Sequence, residues 1–186
     1  MTAVPVAVNT RRFRRVFGHF CTGVTVVTTC DDSGPAGFAC QAFAPLSLDP
    51  PLVLFCPQDR SETWRRIRER GVFCVNVLAD DQRDLSRAFG LRGADKFAGV
   101  PWRPAPSGAP ILDGVLTWAD CRVEVVHPGG DHAIVIGRVT ALGDCRDAGP
   151  LLFHKGRYTG TAAVSPHEPP EVVDTLLAWP RHTDWI

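Results

Sequence analysis

The sequence predicts a mainly β protein, an antiparallel barrel with peripheral helices, and three observations lead there. About six or seven segments carry either the two-residue alternation of a half-buried strand or a short apolar run bounded by turns. Most are joined by turn chemistry such as Asp31-Asp32-Ser33-Gly34-Pro35 and Gly129-Gly130-Asp131. Only two connections are long and amphipathic enough to be helices, which disfavours a doubly wound parallel sheet.

Taken in order, Asn9 or Thr10 can cap a first helix in which Phe13, Val16, Phe17 and Phe20 share a face opposite the arginines. Val24 to Cys30, rich in Val and Thr, forms a hairpin with Gly37 to Cys40. Pro50-Pro51 then introduces a strand over Leu52 to Cys56. Ser61 begins a helix with Glu62 in its first turn, Trp64 and Ile67 inward and Gly71 as its stop. Val72 to Leu78 reads as a buried strand, and Asp80 as the cap of a short helix that carries Leu85, Ala88 and Phe89 and ends at Gly90. The Pro- and Gly-rich stretch from Gly99 to Gly114 reads as a long loop. From Val115 to Val126 apolar residues alternate with Arg122 and Glu124; His132 to Leu142 pairs back, and Leu151 to His154 is a last short strand. Pro166 to Pro170 links to a C-terminal helix over Glu171 to Trp179. The expected organisation is one domain over residues 1–162, followed by a linker and short helix at 163–186 that pack on the domain or on a dimer partner.

A chain of 186 residues is enough for one sizeable core, and 45% hydrophobic against 22% charged residues excludes wholesale disorder. Twenty Lys+Arg balance twenty Asp+Glu, so no overall field favours nucleic acid or anionic lipid as a partner. The longest apolar runs, Leu52 to Cys56 and Ala133 to Ile136, fall far short of the ~20 residues that span a bilayer. The basic residues Arg11, Arg12, Arg14 and Arg15 follow the apolar stretch Val4 to Val8, the reverse of a secretory signal. Seven cysteines without a C-x-x-C pair read as reduced, buried small hydrophobes. A cytoplasmic protein is expected.

The motifs that are missing narrow the chemistry. No G-x-G-x-x-G, Walker-type G-x-x-x-x-G-K-[ST], G-x-S-x-G or H-E-x-x-H is present. Asp32-Ser33-Gly34-Pro35 superficially matches a protease nucleophile loop but has the composition of an ordinary turn. The segment His127-Pro128-Gly129-Gly130-Asp131-His132 crowds two imidazoles and a carboxylate at a glycine turn. It can be a metal corner built on His127, Asp131 and His132, a plain hairpin turn, or a turn that presents His132 to a substrate. Ser61, after Pro57-Gln58-Asp59-Arg60, is either an ordinary N-cap or part of an anion site made of helix N–H groups, a hydroxyl and a guanidinium. Residue types alone leave these alternatives open.

An ordered series of segments decides more. The run Phe17-Gly18-His19-Phe20-Cys21-Thr22-Gly23-Val24-Thr25-Val26-Val27-Thr28-Thr29 resembles the opening of the short-chain flavin reductases, the reductase components of two-component flavin-dependent monooxygenases. Gly37 to Phe43, Leu46 to Cys56, Phe73 to Leu78, Phe89-Gly90, Asp95-Lys96-Phe97, Gly129 to His132 and Gly156-Arg157-Tyr158 follow in the family's order. The match covers about residues 11 to 160. It implies an FMN-binding split barrel, a homodimer with flavin sites near the subunit interface, and an NAD(P)H:flavin oxidoreductase. Such an enzyme passes a hydride to FAD or FMN and releases the reduced flavin to a partner monooxygenase.

By the same resemblance, Ala39, Cys40, Gln41 and Ala42 line the flavin through backbone and small side chains. Cys56, Pro57 and Ser61 hold the ring edge and phosphate, and Asn76, Phe89 and Lys96 complete the site. His132 faces the nicotinamide, and Gly156, Arg157 and Tyr158 receive the rest of the dinucleotide; no metal is implied. The family often has Thr or Ser where this chain has Ala39 and Cys40, so contacts there fall to the backbone. FAD and NADH are expected ahead of FMN and NADPH. The alternatives are a flavin-binding module without reductase activity, an oxidase of the pyridoxamine-phosphate type on the same barrel, and a metal-dependent enzyme.

Overall fold

Strand alternation and turn chemistry carry through into the computed structural model, which describes residues 8–93 and 95–161. The elements are α1 (Thr10–Phe17), β1 (Thr22–Gly23), β2 (Thr25–Asp31), β3 (Gly34–Cys40), β4 (Phe43–Leu48) and β5 (Pro51–Phe55). After them come α2 (Glu62–Arg70), β6 (Val72–Val77), α3 (Arg83–Gly90), β7 (Trp102–Pro104) and β8 (Pro110–Leu112). The last are β9 (Thr117–Pro128), β10 (Ala133–Leu142), β11 (Leu152–His154) and β12 (Arg157–Thr159). The C-terminal helix expected over Glu171 to Trp179 lies outside the described residues, as does the segment 163–186.

Seven strands form one sheet in the order β3-β2-β6-β9-β10-β5-β4. Every neighbouring pair in it is antiparallel, as expected for the class. The two edge strands, β3 and β4, are consecutive in the chain and joined by Gln41-Ala42, so the sheet curls back on itself but is not closed by a ladder. A smaller sheet, β1-β11-β12, and the hairpin β7-β8 complete the strands. That hairpin falls inside the stretch expected as a loop, whose Pro and Gly content hides two three-residue strands.

The core lies between the sheet and α2, where Phe55, Trp64, Ile67, Phe73 and Val135 are buried together. Phe55 meets Trp64 edge-on at 6.1 Å and Phe73 at 4.9 Å. Gly137 sits where β9 and β10 slip register, and any Cβ there would lie 2.3 Å from Phe73 Cζ, so the ring fills the missing side chain's space. A second cluster packs Val24, Val26, Leu78, Phe89, Leu112 and Leu151 under α3.

Phe13, Val16 and Phe17 lie on α1 and Phe20 beyond its end, and all four are exposed. One expectation needs correction. The seven cysteines are unpaired, yet only Cys40, Cys74 and Cys121 are buried; Cys21 and Cys145 are exposed. None of the helices among the described residues is long and apolar enough to cross a membrane.

Candidate functional site

The open seam between β3 and β4 borders a cavity of about 990 Å³. One wall is the strand from Pro35 through the corner Gln41-Ala42, whose small side chains leave the backbone within reach of a ligand. The opposite wall is Cys56-Pro57-Gln58 and the first turn of α2. α3's end, at Phe89-Gly90, and the segment around Lys96 form a third side, and His132 a fourth.

Each wall has a local cause. Ser61 caps α2 in extended geometry, its Oγ accepting from Trp64 N–H at 3.3 Å. Trp64 and Ile67 anchor the helix in the core, and Gly71 ends it at φ 69° with its N–H on Ile67 O at 2.8 Å. The helix start therefore points at the cavity, with N–H groups of its first turn lacking intrahelical partners. Arg66, one turn further along, donates from Nε to Asp31 Oδ2 at 2.6 Å and from Nη2 to Asp31 Oδ1 at 2.5 Å. This pair ties α2 to the β2-β3 turn and holds the Asp31 carboxyl below the usual carboxylate range.

His132 is held by main-chain contacts with the opposite wall. It forms an antiparallel bridge with Gln58; Ala133 N–H donates to Pro57 O at 3.0 Å, and Asp59 N–H to Asp131 O at 3.2 Å. Gly130, at φ 82°, makes the turn that brings the segment round. His132 Nδ1 lies 2.7 Å from Asp131 Oδ1. An ionised carboxylate only accepts, so Nδ1 carries the proton and Nε2 stays unbonded by this pair. The hydrogen bond from His132 keeps the Asp131 carboxyl below its ordinary range.

Thiols in the cavity are neutral. Burial pushes Cys40 up to about 12 and also raises Cys56, so neither offers a thiolate near neutral pH. Glu62, on the rim, pairs with Arg65, whose hydrogen bond lowers its carboxyl's pKa. Lys96 Nζ donates to Gly37 O at 3.2 Å and to Phe89 O at 3.1 Å.

The structure thus brings together His132, Ala39, Cys40, Gln41, Ala42, Cys56, Pro57, Ser61, Phe89 and Lys96 around one cavity. Four other residues lie elsewhere. Asn76 is fully buried: its amide nitrogen donates to Val26 O, Thr28 Oγ1 and Pro110 O, each at 3.2 Å, and its oxygen accepts from Leu112 N–H at 2.8 Å. Every polar atom of that side chain is used in joining β6 to β2 and β8, which leaves nothing for a ligand. Gly156, Arg157 and Tyr158 sit on the β11-β12 hairpin, where Tyr158 Oη lies 3.0 Å from Ser86 Oγ and its ring beneath the Arg87 guanidinium. His127, Asp131 and His132 form no metal cluster, and no such group of three occurs among the described residues.

Sequence reasoning missed Thr63, Arg66 and Arg92, which line the cavity. The spacing of Thr63 and Arg66, three apart on a helix whose cap was recognised, was the available signal for two of them. Arg92 follows the α3 stop and carries no comparable mark.

Comparison with known proteins follows the same lines. A family described as the flavin reductase like domain matches residues 17–162. Over 154 residues the chain is 56% identical to a flavin-dependent monooxygenase reductase subunit, HsaB, of Rhodococcus jostii, covering 83% of this chain and 79% of the relative. The solved structure of nitrilotriacetate monooxygenase component B from Mycobacterium thermoresistibile superposes with a TM-score of 0.82 at 50% identity, over 90% of this chain and 96% of that one. The NADH:FAD oxidoreductase SgcE6 of Streptomyces globisporus, solved with NAD and FAD fragments, gives 0.81 at 33% identity over 87% and 98% of the two chains.

Proposed function

The chain belongs to the flavin reductase like family, and from that premise we propose that it oxidises NADH and reduces FAD in the cavity between β3, α2 and His132. It is an NAD(P)H:flavin oxidoreductase, the reductase component that supplies reduced flavin to a partner monooxygenase. NADH over NADPH and FAD over FMN are our finer reading, supported by the relative solved with NAD and FAD fragments.

The residues present fit a flavin. A space of about 990 Å³ is walled on one side by Ala39, Cys40 and Ala42, which allow close backbone approach, and met at one end by the α2 start. That juxtaposition is the observation that carries the reading. Bound flavin supplies the electron chemistry, accepting a hydride from the nicotinamide.

What the chain contributes is placement and shelter. Backbone groups of residues 39–42 and the α2 first turn hold the ligand; the neutral Cys40 and Cys56 thiols put no competing charge beside it. His132, its Nδ1 tied to Asp131, turns Nε2 to position the nicotinamide, and no protein base is required. A homodimer is part of the proposal, supported by exposed apolar side chains on α1 (Phe13, Val16, Phe17) and on the β9-β10 hairpin (Val125, Val126, Ile134).

The test follows NADH and NADPH oxidation by the purified protein without flavin, with FAD and with FMN, beside its mass in solution. Oxidation that requires free flavin, with the highest kcat/KM for NADH and FAD in a dimer, is expected. Tight stoichiometric flavin with no turnover would make the protein a flavin-binding module instead.

A further inference from the structure

Two lysines occur in the chain, Lys96 and Lys155, and of these Lys96 lines the cavity. A lysine beside a flavin cavity suggests a counter-charge for phosphate. Its bonds say otherwise.

Lys96 Nζ is already engaged by Gly37 O on β3 and Phe89 O on α3. Phe89 lies in the last turn of α3, where carbonyls have no intrahelical donor and the helix dipole is negative, so an ammonium there is both cap and counter-charge. Gly37 is a second node. A Cβ on it would lie 2.7 Å from Phe89 Cε1, so the ring rests directly on the strand. Gly37 O also accepts from Thr63 Oγ1 of α2 at 3.4 Å. Phe89 meets Phe97 edge-on at 5.0 Å, and Phe97 meets Trp102 at 6.2 Å. Strand β3, both flanking helices and the segment after α3 therefore converge on one carbonyl and one ring.

Other cations are free for an anion. Arg60 and Arg92 line the same cavity, and neither makes a hydrogen bond or ion pair among the described residues. Two of the three ammonium donors are spent on these carbonyls, and charge-assisted bonds are the stronger kind, so any movement of Lys96 toward a phosphate would loosen the contacts that join α3 to β3. Burial also lowers the Lys96 pKa, which fits an ammonium satisfied by carbonyls and not by a carboxylate.

We propose that Lys96 is a positioning residue for flavin binding: its ammonium latches the end of α3 and the segment after it onto β3, giving the cavity its shape, and does not act as the phosphate's counter-charge. The proposal rests on the reading that this cavity takes a flavin.

Riboflavin separates the two roles, because it has the flavin ring and no phosphate. Dissociation constants of riboflavin, FMN and FAD are measured by flavin fluorescence quenching for the wild type, Lys96→Met and Arg60→Ala/Arg92→Ala, with thermal melts of each. With the latch lost, all three flavins weaken by one common factor, about tenfold. In turnover, flavin KM rises by that factor while kcat at saturating flavin is kept. The arginine double variant spares riboflavin and weakens FMN and FAD. If Lys96→Met weakens FMN and FAD alone, Lys96 is a phosphate ligand and the proposal fails; unchanged binding of all three also overturns it. Should Lys96→Met not fold, Lys96→Gln keeps N–H donors without charge, and the same comparison decides. A wild type that binds none of the three overturns the reading of the cavity itself, a result distinct from either outcome in the variants.

Discussion

Gln58 and His132 face each other across an isolated antiparallel bridge that joins the segment after β5 to the turn before β10. The backbone that carries the imidazole is thus held from the facing segment, and the ring itself is held by Asp131. His132→Ala should leave that bridge intact and remove only the ring. We expect kcat/KM for NADH to fall about 10- to 100-fold, with flavin dissociation constants changed less than twofold. Stopped-flow reduction and flavin titration of the same preparation check it, and equal losses in both would remove His132 from the nicotinamide side.

Asn76 gives the opposite pattern. With four hydrogen bonds broken in a dry core, Asn76→Ala costs about 3 kcal/mol of stability while flavin affinity stays at the wild-type value. Denaturant unfolding and flavin titration are the paired measurements.

Gly137→Ala tests the packing under the register slip. The added methyl meets Phe73 Cζ at 2.3 Å and must displace a fully buried ring, a penalty of about 1–3 kcal/mol read as a lower Tm.

Acid should act through Asp31. Its carboxyl is lowered in the folded protein chiefly by the Arg66 hydrogen bond, so the folded state binds its proton later than the unfolded chain does. The pair's contribution is complete above the unfolded value of 3.8 and fades as the pH falls through the lower folded value. Thermal melts from neutral pH down to about 3 should show Tm falling in that window. Asp31→Asn should start from a lower neutral Tm and flatten the acid limb.

How far the sequence could be read depends on the kind of signal. Turn residues and caps were legible because they act locally: Asp31 to Gly34 turns β2 into β3, Ser61 caps α2 and Gly71 stops it, as expected. The cap of α3 was not, since Gln82 and not Asp80 precedes that helix and makes no capping bond with its side chain. Strand β4 escaped notice because Phe43 to Leu48 is neither strictly alternating nor well buried. The residues around the cavity were named through resemblance to a family, yet what Asn76 does could only be learned from its partners, which lie up to 50 positions away in the chain. Long-range pairing of that sort leaves no local trace.

The seam at Gln41-Ala42 has a mechanical consequence. Strands β3 and β4 are opposite margins of the seven-stranded sheet, separated by five intervening strands in the hydrogen-bonded order yet by two residues along the chain. A ligand seated along residues 39–42 grips both margins at once and acts as a suture across the one gap in the ladder. Fraying of either margin then requires the ligand to leave, so amide exchange at the ends of β3 and β4 should slow together on flavin binding, while the β9-β10 hairpin exchanges as before.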